Sequence, residues 1–568
     1  MNKWTIVSVL ITSLVGITAV AGEPAKPTED SGAPPQAIEK WREMRFGLFV
    51  HWGPVSLTGR EIGWSRGGER RGHRTGQGTE TPVEIYDNLY KEFNPVKFDA
   101  DEWVAIAKEA GMRYLVFTTK HHDGFCNFDS KLTDYKITSR ESPYGKDIAV
   151  QLADACHAAN LPLGWYYSPP DWHDANYRNG ERHGQYINYM HGQIEELLTN
   201  YGKVDILWFD GLGGKAEDWD AGRLLPAIRR LQPGIIINNR CGLPADHDTP
   251  EQRVGGFMRD RPWETCMTIC RQWAWKPGDT MKSRKQCIQT LLQVVGGDGN
   301  LLFNVGPMPD GRIEDRQVER LKEMGQWLAR YGDGVYGTRG GPFKPGKWGA
   351  STCKENRVYL YVMNWPKKGP LELPAVEKKI TSARLLSGGT LDFQESASGI
   401  SVDVPAGDRD EVATVIELKV DGTAFDIAPV DVAYRSDSLA YGKKTTASNV
   451  YRKMNSQYGP QKALDDDSQT RWATDSGTSE AWLEVDLGRP REVVRVSIDE
   501  PGEYRRIQEF QLQYLDGESW KTFYEGKTVG PDWSTPVAPV TAQRFRLNIL
   551  KATDGPTIWE FQLGGAAE

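Results

Sequence analysis

The chain has 568 residues, too many for one hydrophobic core; at roughly 100–200 residues per domain it divides into about three. A net charge of −8 with no basic stripe excludes nucleic-acid binding as a primary role, and no run of like charge marks a disordered tail. The 20 tryptophans and 22 tyrosines supply flat apolar platforms of the kind that stack on sugar C–H faces, although large barrels and sandwiches also use many aromatics.

The N-terminus has the pattern of a signal peptide over residues 1–21. Lys3 gives the positive start, residues 4–18 are apolar, and Ala19-Val20-Ala21 is an A-x-A cleavage site. The apolar run is short for a membrane span. Residues 22–37, rich in Pro, Gly and acidic side chains, are expected to form a flexible leader. No later segment is apolar enough to cross a bilayer, so the mature chain is expected to be exported, to the periplasm or the extracellular space. Seven scattered cysteines without a C-x-x-C pair argue against zinc and for buried free thiols, with one disulfide left open.

Residues 38–340 alternate β-rich runs with helical patterns. Strands are expected at Arg45–His51, Tyr114–Thr119, Pro162–Tyr167, Asp205–Asp210, Ile235–Asn239, Cys266–Ile269 and Leu301–Val305. Amphipathic stretches such as Asp101–Ala110, Asp147–Ala159, Tyr186–Asn200, Ala221–Gln232 and Ser283–Val295 lie between them. Strands separated by helices pair in parallel, which makes the fold class α/β, a TIM-like (β/α) barrel. No G-x-G-x-x-G or P-loop follows the first strand, against a nucleotide fold. Residues 341–425 turn to short β-runs without helical period, an antiparallel β-domain. A linker falls near Val420–Val430, and residues 430–565 are again β-rich, expected as a β-sandwich of jelly-roll type.

Five expected strands end in polar and aromatic residues: Phe49-Val50-His51-Trp52-Gly53, Lys120-His121-His122-Asp123-Gly124, Tyr166-Tyr167-Ser168, Trp208-Phe209-Asp210-Gly211 and Asn238-Asn239-Arg240. Barrel active sites lie at the C-terminal strand ends, so these residues are expected to share one pocket. Asp210 follows four apolar residues. It is either a carboxylate aimed into that pocket or the N-cap of the next helix. Glycoside hydrolysis needs two carboxyl groups about one bond, one as nucleophile or base, the other as acid. Two glutamates can serve as partner: Glu251, in the loop sequence Thr-Pro-Glu, and Glu264, where Trp-Glu-Thr-Cys begins a strand and orienting neighbours is the commoner task. His51, His121 and His122 suit hydrogen bonding to hydroxyls better than zinc. Adjacent histidines on one strand end are expected to point to opposite sides.

The motifs RFGLFVHWG, YLVFTTKHHDGF, GWYYSPPDW, ILWFDG, IIINNR, PWETCMTI and GDGNLLFNVGPMPDG, in this order, resemble the retaining α-L-fucosidases of glycoside hydrolase family 29 over roughly residues 38–425. The resemblance implies a fucosylated glycan substrate, hydrolysis of terminal α-L-fucosyl residues and a covalent fucosyl-enzyme on Asp210, with no catalytic cofactor. It implies that His51, His121, His122, Tyr166, Trp208 and Arg240 hold the fucose hydroxyls, and that Trp273 faces the C6 methyl. It leaves the acid/base between Glu251 and Glu264. Residues 59–81 carry little of the family's Glu-Trp-Tyr pattern, which puts contacts from Glu61 or Trp64 in doubt. The arginines at 66, 70, 71 and 74 are expected to rim the pocket, with tolerance for acidic or sulfated glycans. Within 430–565, KALDDD, TRW, WLEVDLG, RFRL and IWEF resemble a discoidin (F5/8 type C) domain, akin to family 32 carbohydrate-binding modules. Such domains often hold a structural calcium. Asp465, Asp467, Thr470 and Glu560 would supply its oxygen ligands, and the other reading is a metal-free acidic turn. Alternative functions are a glycosidase for another L- or 6-deoxy sugar, such as an α-L-galactoside, and a non-catalytic glycan-binding protein.

Overall fold

The computed structural model describes residues 32–73, 80–366, 369–433, 436, 438–467, 470–500, 505–530 and 533–565. The expected signal peptide, most of the expected leader and Arg74 lie outside these residues. A helix over Pro35–Met44 begins inside the segment expected to be flexible; its Trp41 is buried.

The chain forms two compact units: one of Met1–Gly255, Asp260–Ser283 and Gly299–Arg330, the other of Gly256–Arg259, Arg284–Asp298 and Tyr331–Glu568. The expected barrel boundary at Gly340 thus falls inside the second unit.

The first unit is built on seven parallel strands: β1 (Phe46–Val50), β2 (Leu115–Lys120), β3 (Leu163–Tyr167), β4 (Ile206–Phe209), β5 (Ile236–Ile237), β6 (Glu264–Thr268) and β7 (Asn300–Val305). Their spatial order is β5-β4-β3-β2-β1-β7-β6. Every residue in these strands is buried, which is why they read as unbroken apolar runs rather than alternating ones. Helices Ala100–Glu109, Ile148–Ala158, His183–Thr199 and Ala221–Leu231 alternate with them. Asp99 and Asp147 cap the first two through their side chains.

An irregular segment fills the gap between β5 and β6. Asn239 N donates to His247 O (3.0 Å) and Asp246 N to Ile237 O (2.9 Å) on one side. On the other, Glu264 N donates to Asp248 O (2.9 Å) and Cys266 N to Pro250 O (3.1 Å). The bridges Asn238↔His247, Asp248↔Trp263 and Glu251↔Cys266 are all parallel. Residues 246–251 therefore take the eighth position of the barrel, and Glu251 ends it. Inside, Phe49, Tyr114, Tyr166, Trp208, Cys266 and Leu302 belong to one core cluster. Gly47 in β1 is required by this packing: a Cβ there would lie 2.3 Å from the Tyr114 ring.

In the second unit, strands Ile380–Leu385, Thr414–Val420, Arg357–Val362, Gly349–Lys354 and Arg339–Gly340 form an antiparallel sheet, and Leu371–Leu373, Gly399–Asp403 and Asp392–Ser396 a smaller one. They share a core that includes Trp348, Leu360, Val402 and Ile416. A separate core includes Trp472, from a two-stranded ladder with Thr557–Ile558, and Leu483, Phe510, Phe545 and Leu547, from a third, larger antiparallel sheet. Its path is Lys444–Ala447, Ala481–Asp499, Trp533–Ala552, Ile507–Asp516 and Ser519–Gly526, with Glu560–Gly565 beside the second strand. All seven cysteines are buried free thiols.

Candidate active site

The C-terminal ends of the barrel strands converge on one small, partly enclosed pocket. Phe49, His51, Trp64, His121, Tyr166, Trp208, Asp210, Leu212, Arg240, Glu251, Cys266 and Trp273 line it.

Asp210 follows β4 directly. No helix begins there; a 3-10 turn at Glu217–Trp219 and then the helix Ala221–Leu231 come later, so the N-cap reading does not hold. Its carboxylate is held instead by two hydrogen bonds, with the His122 ring beside it. The Tyr166 hydroxyl donates to Oδ2 at 2.9 Å, Arg240 Nη1 donates to Oδ1 at 3.2 Å, and His122 Nε2 lies 3.4 Å from Oδ2. Arg240 Nη1 also meets Glu251 Oε2 at 2.8 Å. Its Nε donates to Thr249 Oγ1 (2.8 Å), and Nη2 to the Thr249 carbonyl (3.1 Å) and to Cys266 Sγ (3.9 Å). The guanidinium stacks on the Trp208 ring at 4.7 Å. Glu251 is half-exposed at the pocket, while Glu264 is fully buried and does not line it. Tyr114 Oη donates to Glu264 Oε2 (2.5 Å) and Trp208 Nε1 to its Oε1 (3.1 Å). Burial pushes the Glu264 carboxyl up to about 7.

The three histidines are held neutral. Burial pushes His51 down to about 4, against the pull of its hydrogen bond to Asn304. Burial drives His121 and His122 well below their usual range, helped for His122 by the Lys120 ammonium. The His51 tautomer follows from its neighbours. Asn304 Nδ2 donates to Trp273 O (2.8 Å), so Asn304 Oδ1 accepts from His51 Nδ1 (2.7 Å) and leaves Nε2 as an acceptor. His122 Nδ1 is 2.6 Å from Ser168 Oγ.

Three expectations need correction. His121 and His122 do not diverge: their rings are 4.1 Å apart, and with Asp210 they bring one ligand atom each within 4.8 Å. Both follow the last residue of β2, where strand alternation no longer applies. Trp64 lines the pocket, standing edge-on to His122 and Trp172 at 5.6 and 5.1 Å. Glu61 does not reach the pocket and instead accepts from the backbone N–H of Trp273 (2.9 Å) and Ala274 (3.0 Å), fixing the loop that carries Trp273. Of the arginines expected at the rim, Arg66, Arg70 and Arg71 do not line the pocket, and Arg74 lies outside the described residues. Arg66 forms a bidentate pair with Asp87 (2.6 Å each), Arg70 donates to the carbonyls of Trp64 and Arg66, and Arg71 to those of Asp174 and Tyr177. These three brace the Gly-rich insertion and offer no charge to an acidic or sulfated glycan. Leu212 and Cys266 also line the pocket and carried no signal in the sequence, since an isolated Leu or Cys reads as core.

In the C-terminal sandwich, Thr470 Oγ1 donates to Asp465 (2.8 Å to Oδ1), and Asp467 N donates to the same oxygen at 3.1 Å. Both Glu560 carboxylate oxygens are buried and have no hydrogen-bond partner among the described residues. Burial, with Asp466 and Asp465 nearby, pushes Glu560 up to about 8. A buried carboxylate with so few donors is costly, and its oxygens, like those of Asp465, Asp467 and Thr470, are of the chemical type a hard cation takes.

Barrel and pocket together define a glycoside hydrolase, the class in which two carboxyl groups flank a bond to a sugar ring. The chain belongs to the α-L-fucosidase family, glycoside hydrolase family 29, whose model matches residues 16–333; a F5/8 type C domain matches residues 444–561. The chain is similar to α-L-fucosidase isoenzyme 1 from Paenibacillus thiaminolyticus, at 36% identity and a TM-score of 0.61, over 68% of this chain and 99% of that one. It is also similar to a Bacteroides thetaiotaomicron α-L-fucosidase trapped as a covalent intermediate with 2-fluoro-fucosyl fluoride, at 27% identity and a TM-score of 0.62, over 70% and 100% of the two chains. Tissue α-L-fucosidase of Macaca fascicularis is 28% identical over 371 residues, 60% of this chain and 78% of its own. Among the described residues no helix is long and apolar enough to cross a membrane.

Proposed function

We propose that this chain is an exported, exo-acting α-L-fucosidase that hydrolyses terminal fucosyl residues with retention, using Asp210 as nucleophile and Glu251 as acid/base. The observation that carries the reading is the Arg240 bridge. One nitrogen lies 3.2 Å from Asp210 and 2.8 Å from Glu251, so those oxygens are at most about 6 Å apart, compatible with the roughly 5–5.5 Å of retaining enzymes and below the 6.5–9.5 Å of inverting ones. The covalent intermediate of the Bacteroides relative supports the same reading.

In this mechanism Asp210 attacks the anomeric carbon while Glu251, on the open side of the pocket, gives its proton to the departing glycosidic oxygen. Water then enters, Glu251 takes a proton from it, and the Asp210 ester is hydrolysed. Tyr166 and Arg240 keep the Asp210 carboxylate oriented for attack. Neutral His51 offers Nε2 as an acceptor, so it orients a sugar hydroxyl without repelling the cationic transition state. Phe49, Trp273 and Cys266 give the pocket an apolar side suited to a deoxy carbon. A pocket this small takes one sugar ring, hence exo action.

The test is release of nitrophenol from nitrophenyl α-L-fucoside. Wild type is expected to cleave it, and Asp210→Ala to lose on the order of 10⁴-fold. No cleavage by wild type defeats the reading.

We further propose that Asp465, Asp467, Thr470 and Glu560 hold a structural calcium ion in the C-terminal domain, and that residues 1–21 are a cleaved signal peptide.

A further inference from the structure

We propose that Glu264, rather than donating a proton, is a positioning residue that locks the Trp208 indole and through it the Arg240 guanidinium that holds both reacting carboxyl groups. The inference rests on the roles given above to Asp210 and Glu251.

Glu264 opens β6 at the floor of the barrel, fully buried, and no cation among the described residues contacts it. Both oxygens accept from rigid rings: Tyr114 Oη on Oε2 and Trp208 Nε1 on Oε1. Tyr114 has little freedom to move, because its ring packs directly over Gly47, where even a methyl group would clash. An indole N–H can only donate, so the orientation of Trp208 depends on an acceptor at this point, and a carboxylate is the strongest available. The rest of Trp208 supports the chemistry. Its ring lies nearly parallel to Tyr166 (5.6 Å, 15°), whose hydroxyl holds Asp210, and under Arg240, which holds Asp210 and Glu251. One indole thus sets two of the groups that aim the nucleophile, and Glu264 sets the indole. Trp208 lines the pocket and Glu264 does not, so the carboxyl has no route to a glycosidic oxygen.

The experiment compares Glu264→Gln and Glu264→Ala in the full chain. Each is assayed on an aryl fucoside with a good leaving group and on an unactivated fucosyl disaccharide, with and without azide. Gln keeps an oxygen for Trp208 and is expected to stay within about 10-fold of wild type. Ala is expected to lose about 10²-fold in kcat/KM, equally on both substrates and without azide rescue, the loss that a misplacement of about 1 Å produces. Trp208→Phe keeps the ring and drops the N–H; it should match Ala, and it answers the question if Ala does not fold. A loss confined to the unactivated substrate, or rescue by azide, would make Glu264 the acid and overturn the proposal. So would an Ala variant as active as wild type. A crystal structure of Glu264→Gln or Trp208→Phe supplies a readout independent of activity. Trp208 and Arg240 in place in Gln, with Arg240 withdrawn from Asp210 in Phe, supports the proposal; an unmoved Arg240 in Phe contradicts it. Absence of cleavage by wild type would instead strike at the fucosidase reading.

Discussion

Glu264 in the barrel and Glu560 in the C-terminal sandwich are both buried carboxyl groups raised by desolvation, to about 7 and about 8, yet their surroundings differ. Glu264 has a donor on each oxygen, and Glu560 has none among the described residues. Around Glu264 the barrel supplies both partners from its own side chains, so the Trp208 ring and the Arg240 guanidinium stacked on it are placed before substrate arrives. The sandwich leaves the Glu560 oxygens without a full hydrogen bond among the described residues, with the Lys347 ammonium the cation that acts on them. Among the groups left unsatisfied, His121 Nδ1 and His122 Nε2 at the pocket and the Glu560 carboxyl in the sandwich are where a ligand would find polar atoms free to meet it.

The sharpest way to break this comparison is at Glu251. Glu251→Ala should lower kcat/KM on an unactivated fucoside by about 10²–10⁴-fold, much less on an activated aryl fucoside, and azide should restore turnover. Uniform loss on both substrates would mean that Glu251 only holds Arg240.

A smaller effect concerns the neutral histidines. His51 has a folded value near 4 against 6.5 unfolded, so between those values the unfolded chain binds the extra proton and stability rises with pH. Its contribution is complete above about pH 6.5 and lost as pH falls through 4, on the order of 3 kcal/mol in all. Unfolding followed by urea at pH 7 and pH 4.5 should show a smaller loss on acidification in His51→Gln than in wild type. An equal or larger loss would contradict the neutral, buried assignment.

The smallest effect tests the open network. Millimolar calcium should raise the melting temperature by a few degrees, and a chelator should reverse it. Glu560→Gln should abolish the response. A response that survives in Glu560→Gln places the ion elsewhere.

Much of the barrel was legible because buried parallel strands are continuous apolar runs, and because His51, His121, Asp210 and Arg240 stand where those runs stop. The less legible parts lack that signal. Residues 246–251 join the barrel through backbone hydrogen bonds from a stretch, Asp-His-Asp-Thr-Pro-Glu, with no β-propensity to announce it. Trp64 reaches the pocket from an insertion whose arginines looked like a charged rim. In the fold Arg66, Arg70 and Arg71 are spent on Asp87 and on carbonyl groups, and sequence alone does not say where a guanidinium's donors go. The closeness of the His121 and His122 rings depends on where β2 ends, a matter of one residue. For Glu251 and Glu264 the local reading, loop against strand start, pointed in the direction the packing supports. Only the burial of Glu264 behind Trp208 gives a physical reason.

The most direct test of the central claim, Asp210 as nucleophile in a double displacement, is proton NMR of the first sugar released from an α-L-fucoside. The account predicts that the α-anomer of L-fucose appears first and mutarotates later. Initial appearance of the β-anomer would mean single displacement by water and would contradict it.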